Sequence, residues 1–161
     1  MKLRVSRICR LALLAVAASS GCGGRDYETI PTHPVTGRVT VNGVPAKGSI
    51  IRFTPKTPQP GAKFPLTPSG KANEEGVYQL TTYEGPDGAP TGDYLVTIEW
   101  PDADWRPPGG GMPPPPPDRL KGRFADPTRS TIEVSVVEGD NQVKPIVLEN
   151  VSILKGSSLP R

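Results

Sequence analysis

Between residues 35 and 150 the apolar side chains recur at every second position, in short runs broken by turn residues. That period places alternate side chains on opposite faces of an extended chain, so the runs read as half-buried β-strands. The clearest is GDYLVTIEW (92–100), with Tyr94, Val96, Ile98 and Trp100 on one face. VTGRVTV (35–41) aligns Val35, Val39 and Val41, and Gly37 shares their face, where a neighbour can pass close. SIIRFTP (49–55) turns Ile51 and Phe53 inward, and GVYQLTT (76–82) does the same with Tyr78 and Leu80. TIEVSVVEG (131–139) aligns Ile132, Val134 and Val136. QVKPIVLEN (142–150) ends the series, and its Pro145 predicts an edge strand or a bulge. Asn42-Gly43 is a hairpin-turn signal. No segment after residue 22 carries a convincing helical period. An isolated hairpin is not stable in water, so the runs predict an all-β fold, a single antiparallel sandwich of about seven strands.

Two stretches interrupt this pattern. Residues 101–118, PDADWRPPGGGMPPPPPD, hold eight prolines and lie between two predicted strands. They read as a long loop, with Pro113–Pro117 in polyproline II. Residues 151–161 read as a flexible tail.

The amino terminus has a different grammar. Residues 1–10 carry Lys2, Arg4, Arg7 and Arg10 and no acid; 11–18 read LALLAVAA; Ser19, Ser20 and Gly21 are small. This is the basic, apolar and small-residue order of an export signal, and its apolar run is too short for a permanent span. Cys9 leaves with the signal, and Cys22 has no partner for a disulfide. The whole chain has a net charge of +3. Without the four signal cations, 15 basic residues face 16 acidic ones, a net of −1. The mature chain therefore has no electrostatic case for nucleic acid. Arg119, Lys121 and Arg123 are a local basic cluster, which reads as a solvated loop.

Residues 19–22 resemble the lipobox of bacterial lipoproteins, with Gly21-Cys22 matching and Ser19 standing where Leu is usual. The resemblance implies cleavage before Cys22 and lipidation of that cysteine; ordinary secretion with a free Cys22 thiol is the alternative. Two or three acyl chains make release negligible. Gly23, in place of Asp, implies sorting to an outer membrane. Residues 22–34 are then the lipidated cysteine and a flexible tether, reaching about 40 Å when extended.

The stretch VTGRVTVNGVPAKGSIIRF is similar to the opening of carboxypeptidase-regulatory-like, or transthyretin-like, domains. The matching positions are Val35, Gly37 and Val39, then Gly43, Pro45 and Gly48, then Gly76-x-Tyr78-x-Leu80 and Gly92-x-Tyr94. The resemblance covers about residues 35–100 and implies an immunoglobulin-like or transthyretin-like sandwich. The whole chain also resembles small lipoproteins of planctomycete-type bacteria, which join a lipobox and such a domain to a KGRFADPxxS-like segment, here Lys121 to Ser130. In each Gly-x-Tyr the glycine should end a turn at positive φ, and the tyrosine should bury its ring and send its hydroxyl to a backbone group.

Candidates for chemistry are few. His33 is the sole histidine and lies in the predicted tether, which argues against an imidazole metal site and a Ser-His-Asp triad. It also argues against the transthyretin-like hydrolase of purine breakdown, which relies on several histidines. Asn73-Glu74-Glu75-Gly76 is read as an acidic turn before a strand rather than a calcium loop. Asp102 and Asp104 are read as solubilising loop residues. A hydrolase would need Glu74 or Glu75 to meet Asp102 at about 5–9 Å. Trp100 continues the inward parity of its strand. Trp105 and Arg106 sit beside the proline run and are the candidate contact surface for a partner or a polysaccharide. The expectation is a non-catalytic binding or structural module, needing no cofactor or metal, held by membrane lipid through Cys22 in the cell envelope. Its partner would be an envelope protein or polysaccharide.

Overall fold

The computed structural model describes residues 29–103, 105–106 and 114–154. Among them nine strands form in order: β1 (Val35–Val41), β2 (Val44–Pro45), β3 (Ile50–Pro55), β4 (Ser69–Lys71), β5 (Val77–Gln79), β6 (Gly92–Glu99), β7 (Glu133–Val136), β8 (Asn141–Gln142) and β9 (Ile146–Leu148). A single 3₁₀ turn, Pro127–Arg129, is the one helical element among the described residues. The fold is the all-β sandwich that the alternation predicts.

One sheet is built on β1, which pairs antiparallel with β2 and β5. On its other edge β1 pairs with β8 and β9, and there the strands run parallel. The second sheet has the order β4-β3-β6-β7 and is antiparallel throughout. The parallel pairing departs from the expected all-antiparallel arrangement. Period-two alternation tells which face a residue occupies and carries no information on strand direction.

Pro145 marks a bulge, one of the places where a strand accommodates a residue without an N–H. Thr36 pairs with Gln142 and Val39 with Ile146, so the β8–β9 side holds one residue more than β1. Two short strands were not legible as apolar runs. In β4, Gly70 lies so close to the Gln79 carbonyl that no side chain would fit. The Ser69–Thr81 bridge, with N–H···O distances of 3.0 and 2.8 Å, then links the two sheets along one seam.

The core forms where the inward faces meet. Phe53 of the second sheet packs edge-on to Tyr78 of the first at 6.5 Å, and tilted on Tyr94 at 5.7 Å. Val35, Val39, Val41, Ile51, Leu80, Val96 and Ile98 fill the space around them. Burying each such aliphatic side chain contributes roughly 1.5–3 kcal/mol. Every inward residue predicted for β1, β3, β5 and β6 is buried. Ile132, just before β7, and Val134 within it are only partly so.

The second half of β6 has no strand on its outer edge. Its donors are met instead by an irregular segment: Val96 N–H by Ile132 O at 2.9 Å, Ile98 N–H by Phe124 O at 2.9 Å, and Trp100 N–H by Asp118 Oδ1 at 2.8 Å. Ser130 Oγ donates to the Val96 carbonyl at 2.6 Å. Lys121 to Ser130, singled out in the sequence, thus covers an edge that would otherwise be open.

The domain extends past both predicted ends. Residues 30–34, assigned above to the tether, are held against it: His33 and Ala89 exchange backbone hydrogen bonds of 2.8 and 3.0 Å. At the other end Val151 is buried, Ile153 packs on the core, and Leu154 N–H donates to Arg119 O at 2.9 Å. Alternating apolar residues carry the fold into what reads as a tail. Cys22 and residues 155–161 lie outside the described residues.

Candidate functional site

At the amino-terminal junction, Ile30 N–H donates to the Tyr83 hydroxyl at 3.1 Å, and Gly139 N–H donates to His33 Nδ1 at 3.0 Å. The sole histidine therefore serves the fold, through its Nδ1. Asn141 N–H and Nδ2 both donate to the Pro34 carbonyl, at 2.9 and 3.3 Å. The path toward Cys22 starts from a fixed point on the domain surface.

At the proline-rich loop, the two ends are built into the fold. Pro101 and Asp118 form a bridge, and Asp102 N–H donates to Pro117 O at 3.1 Å. Asp118 accepts from Trp100, Leu120 and Gly122 N–H groups at 2.8–3.0 Å, which turns the chain sharply. Asp102 is only 5 % exposed, so it is not the solubilising residue that the sequence reading made it. The short loop neck draws it under the chain. Asp104 lies outside the described residues.

Trp100 is core, 5 % exposed, with its indole N–H donating to Lys47 O at 2.9 Å. The Arg119 guanidinium stacks over its ring at 3.8 Å. Trp105 is half-buried and Arg106 exposed. Arg106 Nη1 turns back to donate to the Ala103 and Trp105 carbonyls at 3.1 and 3.0 Å. The two predicted contact residues are adjacent in sequence and follow the hydrogen-bonded neck.

The basic cluster has separate duties. Arg119 covers Trp100, Lys121 Nζ donates to Ser152 Oγ at 2.9 Å, and Arg123 lies over Phe124 at 5.3 Å. In the acidic turn, Asn73 Oδ1 accepts from Glu75 and Val77 N–H at 3.0 and 2.9 Å, and Glu74 pairs with Lys47 at 2.6 Å. That is the geometry of an acidic turn leading into a strand. Among the described residues no three His, Cys, Asp or Glu side chains converge as a metal site would need.

The motif glycines and tyrosines divide into two cases. Gly43, Gly48 and Gly76 have φ of +78°, +77° and +75°, and Gly92 has +148°, while Gly37 provides room instead. Tyr94 meets expectation: its hydroxyl donates to Pro90 O at 2.7 Å and accepts from Gln59 Nε2 at 3.0 Å. Tyr78 does not. Its hydroxyl is buried over Gly37 with no hydrogen-bond partner. Burial raises the pKa of both phenols, and the Gln59 bond offsets part of this at Tyr94. Pro45 lies exposed in β2.

The sequence reading missed a groove of about 680 Å³ between β7 and β8–β9, lined by Phe124, Ile132, Val134, Val143 and Ile146. It also missed Gln59, buried between Tyr94 and Leu66 N–H. A groove of this kind arises where two strand edges fail to close, and single-strand alternation does not report that.

No protein-family model matches the chain, and no curated protein matches it.

Proposed function

We propose that the chain is a cell-envelope lipoprotein, acylated at Cys22, whose β-sandwich serves as a non-catalytic binding or structural module. The carrying observation is residues 1–22: four cations, a short apolar run and three small residues converge on a cysteine with no disulfide partner. The use of the domain's polar groups supports a scaffold. His33, Asn73, Asp118 and Tyr94 are each spent on backbone groups. The motif residues from Val35 to Tyr94 fit a carboxypeptidase-regulatory-like domain, and outer-membrane placement follows from Gly23 by resemblance. Trp105 and Arg106, next to the hydrogen-bonded neck, are the proposed contact for an envelope protein or polysaccharide.

Mass spectrometry of the protein extracted from membranes tests the anchor. The expected species begins at Cys22 and carries two or three acyl chains. A species with a free Cys22 thiol, or one retaining residues 1–21, overturns it.

A further inference from the structure

The largest exposure among the big apolar side chains of the described residues is that of Phe64, at 77 %. A single exposed apolar residue is ordinary on a protein surface. Its position here is not. Phe64 lies in loop 56–68, KTPQPGAKFPLTP, which is pinned on both sides of it. Gln59 is buried and donates to the Tyr94 hydroxyl at 3.0 Å, while its Oε1 accepts from Leu66 N–H at 2.9 Å. Ala62 N–H closes a turn on Gln59 O at 3.1 Å. The loop is therefore held in shape with Phe64 outward, between Lys63 and Pro65.

The same loop adjoins the exit toward Cys22. A Cβ on Gly61 would lie 3.2 Å from the Ile30 side chain. Phe64 is three residues on, so its Cα is within about 11 Å of that point. Ile30, bonded through its N–H to the Tyr83 hydroxyl, is eight residues from Cys22. Eight residues span at most about 28 Å, short of the reach of a tether running to residue 34. Where the domain begins thus brings this loop into range of the surface that holds Cys22. The loop's Lys56 is already paired with Glu133 at 2.9 Å, so the contact does not rest on charge.

We infer that loop 56–68 is a membrane-contact element: Phe64 enters the bilayer interface beside the Cys22 anchor and fixes the orientation of the domain. The inference rests on the anchor proposed above. Weak insertion is enough, because the tether makes it an intramolecular event. The net charge of the mature chain leaves no bulk attraction to help, so the aromatic ring carries the contact.

Chemical tethering separates this idea from natural acylation. In residues 22–161 Cys22 is the sole cysteine and can be coupled to a maleimide-headgroup lipid in phosphatidylcholine vesicles. Phe64→Trp is the reporter. Val44→Trp is the control, because Val44 is also exposed but follows the far end of β1 from residues 30–34. On coupling, Trp emission of the Phe64→Trp protein should shift to the blue, and brominated acyl chains should quench it several-fold more than wild type. The Val44→Trp protein should respond as wild type does. Equal quenching at both positions, or none at Phe64→Trp, overturns the inference, the latter leaving Phe64 as a contact for protein. Because the coupling is chemical, a negative result here is independent of the mass of the natural species.

Discussion

The Tyr78 hydroxyl occupies the space that a side chain at Gly37 would need, so that a Cβ there would overlap the end of the ring. Gly37 is on the inward face of β1 and Tyr78 is its partner on β5. Its φ is not in the left-handed region, so the glycine is required for room. Gly37→Ala should cost about 1–3 kcal/mol, as overpacking of a filled core does. Urea denaturation would measure it, and an unchanged midpoint would show that the ring moves aside freely.

The two core tyrosines should respond oppositely to loss of the hydroxyl. Tyr94→Phe removes a bond to Pro90 O and strands the buried Gln59 amide, for a loss of about 1–3 kcal/mol. Tyr78→Phe removes a buried hydroxyl without a partner and should be neutral or stabilising by about 1 kcal/mol. Paired denaturation curves compare them directly. A loss at Tyr78→Phe equal to that at Tyr94→Phe would contradict the assignment.

Stability should fall on the alkaline side. Burial raises the Tyr78 phenol above its ordinary 10.0, and the unfolded chain ionises at that ordinary value. The stabilisation is complete below pH 10.0 and declines as pH rises beyond it. Lys56 acts in the same direction. Its hydrogen bond with Glu133 raises it above 10.5, so its share is lost as pH climbs through the folded value. A stability profile from neutral to strongly alkaline pH should bend downward, and Tyr78→Phe should flatten the bend. A profile unchanged by that substitution would count against buried ionisation.

Asn42 has a second task besides the turn. At φ +50° it forms the hairpin with Gly43, and its side-chain amide clamps Val151 in both directions: Nδ2 donates to Val151 O at 2.8 Å, and Val151 N–H donates to Oδ1 at 3.0 Å. Asn42→Gly keeps the turn and deletes the clamp. At about 0.5–1.5 kcal/mol per bond, the loss is about 1–3 kcal/mol. Hydrogen exchange should quicken at Val151 and Leu154 while the β3–β6 amides stay protected. Uniform acceleration would mean the clamp supports the whole fold.

These cases show what alternation along a chain can and cannot disclose. The inward residues of β1, β3, β5 and β6 were legible because each run is apolar at every second position and bounded by turn residues. Gly37 was legible for the same reason, as a gap in an apolar row. Ser69–Lys71 was not, since a strand made by close backbone approach of Gly70 needs no apolar side chain. The parallel course of β8 and β9 was hidden because direction leaves no trace in period. Asp102 looked like a surface acid because burial in a loop neck depends on Pro117 and Asp118, across the loop. The contact residues Trp105 and Arg106 were visible as loop residues, but the hydrogen-bonded neck beside them was not.

That neck dictates how the loop should be tested. Removing all of 101–118 would delete Asp118, which holds Trp100, Leu120 and Gly122 N–H groups, and would open the end of β6. A cut within the neck avoids this. Asp102 N–H already donates to Pro117 O, so a short Gly-Gly link between them can keep that bond and leave Asp118 in place. The excised chain, lacking 103–116, should melt within a few degrees of wild type, as the loss touches no residue of the core. It should also lose capture of envelope components that the intact chain retains. Trp105→Ala with Arg106→Ala should reproduce that loss in the full-length loop. If capture survives both changes, the contact lies elsewhere on the sandwich, and the open groove beside Val134 and Val143 becomes the surface to mutate.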